Sequence, residues 1–124
     1  MPFPITPKEV FDNEYGDDFL FWFPTEKSNP NNFFPTPYDW GLVWFLFTNE
    51  KDAEHFGFLL ERLAPGFKGK EMIAVSDTKR EVVSTIAPVG TQMVLIPRNG
   101  ALQFFQEYEQ FMARYYGFED NTGN

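Results

Sequence analysis

The chain has 124 residues, a net charge of −8 and no cysteine. That length is one domain's, long enough to bury roughly two-thirds of the unfolded surface. The absence of cysteine excludes a disulfide framework and a thiolate metal site, and the acidity opposes direct binding to a phosphate backbone.

Thr6-Pro7-Lys8-Glu9 is a capping box with proline at the first helical position, which predicts a short N-terminal helix ended near Gly16. Asp12, Glu14, Asp17 and Asp18 follow it. Their spacing lacks the alternating ligands, central glycine and terminal glutamate of an EF-hand loop, so they read as a solvated acidic helix end with no metal. The opening MPFPITPKE has no basic stretch leading into an apolar one. Neither a secretory signal nor a membrane span is expected, and a soluble cytoplasmic protein is.

Phe19 to Phe23 reads as an apolar strand stopped by Pro24. Residues 25–41 are irregular, since Pro30, Pro35 and Pro37 oppose a helix or a central strand. A connection this long is usually functional or mobile. It carries Phe33, Phe34, Tyr38 and Trp40, and these rings either form a binding surface or fold back to close one side of the core.

Residues 41–66 are the clearest unit. Leu42 to Phe47 is a continuous apolar run suited to a strand covered on both faces. Asn49 stands where an N-cap belongs, with Glu50, Asp52 and Glu54 near the positive end of the helix. Ala53, Phe56, Leu59, Leu60 and Leu63 share one helical face, and Pro65-Gly66 ends the helix. Phe58 lies off that face, as a second contact or an exposed ring.

Beyond it, 71–76 and 81–87 read as strands joined by a four-residue turn, Asp77-Thr78-Lys79-Arg80. A further strand at 91–96 completes an antiparallel meander. Residues 65–98 hold five bases against three acids, which suits a solvated hairpin. The last element is a helix from an Asn99 cap to Tyr116. Ala101, Phe104, Phe105, Tyr108, Phe111, Met112 and Tyr115 form one stripe opposite Gln103, Gln106, Gln110 and Arg114. With few cations on its polar face, it suits packing across a sheet and not a membrane surface.

The expected architecture is a single α+β domain spanning residues 1–124. It is a two-layer sandwich of about five mainly antiparallel strands, with two main helices on one face and the short N-terminal helix. Such strand-to-helix units occur in many small regulators and immunity proteins, an analogy of architecture only.

No motif supplies catalysis or a cofactor. His55 is the sole histidine, Ser28, Ser76 and Ser84 lack a nucleophile-elbow context, and Gly66-Phe67-Lys68-Gly69-Lys70 is not a phosphate loop. The expectation is a non-enzymatic binding protein that inhibits or occludes a partner with a basic surface. A nuclease, or another enzyme acting on nucleic acid, fits that description. Asp12, Glu14, Asp17 and Asp18 would steer the encounter and Phe34, Tyr38 and Trp40 would anchor it. Two alternatives remain: a small-molecule pocket protein, and a structural subunit that self-associates, as a homodimer for example, through exposed aromatics.

Overall fold

A computed structural model of the chain describes residues 15–30, 35–38, 41–86 and 92–116. Among these lie the strands β1 (Leu20–Glu26), β2 (Thr36–Tyr38), β3 (Gly41–Phe47), β4 (Met72–Thr78) and β5 (Gln92–Ile96). They accompany the helices α1 (Glu50–Leu63), α2 (Lys79–Ile86) and α3 (Arg98–Tyr116), with a 3-10 turn at Pro65–Phe67. The class is α+β, with a mixed sheet. β1 runs antiparallel to β3 and β4, β2 antiparallel to β3, and β5 parallel to β3. The anticipated N-terminal helix falls outside the described residues.

One proline organises the middle of the sheet. Val43 pairs with Thr36 on one side and Gln92 on the other, and Phe47 pairs with Trp22 and Ile96. β1 and β2 therefore share the same edge of β3, end to end. The amide of Lys27 donates to the Glu71 carbonyl, and that of Lys79 to Phe19. Odd-numbered residues of β1 and β4 thus bond across their ladder, and even-numbered ones turn outward. Trp22 turns toward β3 and pairs with Phe47. Pro24, two residues on, has no N–H to continue that ladder, and β2 takes over the edge at Val43. Pro24 does not end β1, as the sequence suggested, because pairing with β4 asks nothing of its amide; the strand runs on to Glu26.

The sheet buries both faces. On one, Phe45, Phe47, Val94 and Ile96 meet Phe56 and Leu60 of α1 and Phe104 and Tyr108 of α3. The rings interlock: Phe45 and Phe104 lie 4.8 Å apart by centroid, and Phe56 and Tyr108 lie 5.1 Å apart. On the other face Phe21, Phe23, Trp44, Leu46 and Leu95 cluster with Val82 of α2. All of Val43 to Phe47 is buried, as a strand covered on both sides requires.

Four expectations are corrected. The strand expected over 81–87 is not there: its described part, 81–86, is helical. Lys79–Ile86 is a helix whose Thr78 hydroxyl accepts from the Glu81 amide at 3.3 Å, an N-terminal cap that outweighs the β-branched side chains. Without that strand there is no meander, and β5 returns parallel to β3 instead of antiparallel. The two main helices do share a face, but α2 packs on the opposite one, so helices flank the sheet on both sides. The last helix also begins earlier than expected, at Arg98, leaving Asn99 inside its first turn.

Candidate partner-binding surface

Of the residues singled out from the sequence, Asp17, Asp18 and Tyr38 are among the described ones, and Tyr38 does not lie with the two aspartates. Tyr38 is only 6% exposed. Its ring stacks on Tyr108 at 5.9 Å, tilts against Phe111 at 4.6 Å and meets Phe45 edge-on at 6.0 Å. It closes the core beneath α3, so this one ring of the proline-rich stretch folds back. Phe34, Trp40, Asp12 and Glu14 lie outside the described residues.

Asp17 and Asp18 are exposed, but their charge is met within the chain. Arg80 pairs with Asp17 at 3.6 Å and with Asp18 at 3.4 Å, and the Lys79 ammonium stands 3.9 Å from Asp17. Lys79 is buried and donates to the Tyr15 carbonyl at 2.8 Å, while the Arg80 amide donates to the Asp17 carbonyl at 3.1 Å. These aspartates clasp the start of α2, in a different part of the fold from Tyr38.

Among the described residues an open groove lies between α1 and β4. Asn49 starts α1 as the sequence indicates: its side-chain oxygen accepts from the Asp52 amide at 3.0 Å, and its Nδ2 donates to the Asp52 carboxylate at 2.8 Å. Ala53, Phe56, Leu59 and Leu60 point into the core, which turns Glu50, Glu54 and Phe58 outward. Gly57 lets the helix sit close on the sheet, for a Cβ there would come within 3.1 Å of Met72 Cβ and 3.2 Å of Pro24 Cβ.

The groove is lined from the helix by Glu50, Lys51, Glu54, His55, Phe58 and Glu61, and from the strand side by Glu71, Met72, Ile73 and Ala74. Phe58 is 63% exposed. Four carboxylates against Lys51 and one imidazole make the groove electronegative, and the Phe58 ring gives it an apolar centre. Glu71 also pairs with Lys27 at 3.4 Å, and both side chains are solvated, so that pair is weak. Comparison with protein-family models, curated proteins and solved structures finds no match to this chain.

His55 is exposed and lies flat on Phe105 of α3, with centroids 4.2 Å apart and planes 6° from parallel. It is a boundary residue linking the two helices. Among the described residues no three of His, Asp and Glu gather closely enough to hold a metal ion, and no helix is long and apolar enough to cross a membrane. Sequence reasoning left Phe58 as a contact or an exposed ring and did not reach the groove. Helical spacing was the available signal, since it places Glu50, Glu54 and Phe58 on one flank.

Proposed function

We propose that this chain is a non-enzymatic binding protein that occludes a partner with a basic surface, such as a nuclease or another enzyme acting on nucleic acid. The observation that carries the reading is the exposed Phe58 ring set among Glu50, Glu54 and Glu61 on one flank of α1. Interfaces draw affinity from a few aromatic anchors and draw speed and selectivity from complementary charge around them. This groove offers both.

The test is a binding survey against purified basic nucleases and nucleic-acid-processing enzymes at low and high salt. Saturable binding that weakens with salt is expected for at least one, and Phe58→Ala should weaken it by about 2 kcal/mol with the fold intact. Binding to none, or binding indifferent to Phe58→Ala, removes the groove as the site.

A further inference from the structure

The outer edge of β4 carries the next step, which rests on the reading of the α1–β4 side as the binding surface. Even-numbered residues of β4 turn their backbone groups away from β1, as the register requires. Four amides therefore face outward: those of Met72, Ala74, Ser76 and Thr78. The Met72 amide is taken by the Glu61 carboxylate at 2.8 Å, and the Thr78 amide by its neighbour Asp77 at 3.0 Å. Ala74 and Ser76 are left between them, and among the described residues no strand pairs with them.

Sheet edges that must stay single are commonly blunted by lysine, proline or a bulge. The run Met72-Ile73-Ala74-Val75-Ser76 has no lysine or proline, its first four residues are half-buried, and Ser76 is exposed. Among the described residues the two ends of the edge are capped and its middle is unpaired.

We propose that this window captures an extended basic segment of the partner as an added strand, bonded to the backbone of Ala74 and Ser76. An added strand presents alternate side chains to opposite faces. One set would lie beneath the α1 flank, where Glu50, Glu54 and Phe58 accept lysine or arginine, the aliphatic stem against the ring and the charge among the carboxylates. The other set would continue the surface of Ile73 and Val75 and take β-branched apolar residues. Charge selects against a second copy of this chain, whose own edge carries the same carboxylates.

The probe is an eight-residue peptide alternating lysine with valine, titrated into the full chain and followed by backbone amide signals and hydrogen exchange. Binding should slow exchange at Ala74 and Ser76. Methylating alternate backbone nitrogens of the peptide should weaken it by about tenfold or more, since two or more hydrogen bonds are lost. Ala74→Pro and Ser76→Pro each delete one outward donor without touching the β1 ladder. Each should weaken the peptide by a few-fold, less than N-methylation does because one hydrogen bond is lost, with the fold checked by circular dichroism.

Binding that needs Phe58 and Glu54 but ignores N-methylation and both prolines would overturn strand addition and leave the groove standing. Binding indifferent to all of these would overturn both readings. No binding of the peptide at millimolar concentration would overturn strand addition alone, and the protein survey then judges the groove. Dimerisation abolished by Ala74→Pro would assign the edge to a second copy and overturn the proposal.

Discussion

The two outer strands of the sheet are similar in composition and opposite in finish. β5 is buried through both faces, with Val94 and Ile96 fully covered and Leu95 2% exposed. β4 is half-buried along Met72 to Val75 and exposed at Ser76, although it too is largely apolar. β5 lies beside β3, whose two faces are the most ring-packed part of the molecule. β4 lies beyond β1, where α1 covers its inner face and leaves its rim open. Among the described residues one side of the sheet is closed by packing and the other ends in an unpaired strand edge.

The largest effect should come from breaking the buried side. Phe104 is fully buried and lies within 6 Å of Phe45, Phe47, Phe56 and Tyr108 by centroid. Phe104→Ala should cost about 3–5 kcal/mol, a large share of the 5–15 kcal/mol or so that keeps a domain folded. Chemical denaturation should show a midpoint lowered to match. A loss below about 1 kcal/mol would mean that this side is not the stabilising one.

The β4 side can be disturbed at Gly57, where α1 approaches Met72 and Pro24. A leucine there cannot fit between two Cβ atoms that already stand 3.1 and 3.2 Å from a bare Cβ, and overpacking costs about 1–3 kcal/mol. Gly57→Ala should cost much less, because alanine regains about 1 kcal/mol of helix propensity. Thermal unfolding of both variants gives the order. Equal stability of Gly57→Leu and the parent would mean that α1 does not need its close seat on β4.

The same contrast explains what the sequence could reveal. β3, α1 and α3 are legible because burial dominates their residue choice. Their apolar runs and stripes match the observed faces, from Ala53 to Leu60 and from Ala101 to Met112. α2 is not legible from its β-branched content, yet Thr78-Lys79-Arg80-Glu81 is a capping-box pattern, and half of that box forms. The parallel return of β5 depends on pairing between residues some 50 positions apart, which no local pattern encodes. Tyr38 shows the limit for the site. Its proline-rich surroundings leave a presented ring and a folded-back one both open, and only the tertiary stack on Tyr108 and Phe111 shows that it is packing.

The smallest effect sharpens the comparison where α1 and α3 meet. Arg62 and Glu109 pair across that seam at 3.3 Å, with side chains 55% and 46% exposed. Water screens a pair so open, and holding two long side chains in one geometry costs entropy, so the coupling should be about 0–0.5 kcal/mol. A double-mutant cycle with Arg62→Ala and Glu109→Ala measures it. A coupling above about 1 kcal/mol that fades with added salt would make the seam electrostatic. A value near zero leaves the His55–Phe105 stack and the rings beneath it as what binds the two helices. In that case Arg62 and Glu109 carry no structural duty on this seam.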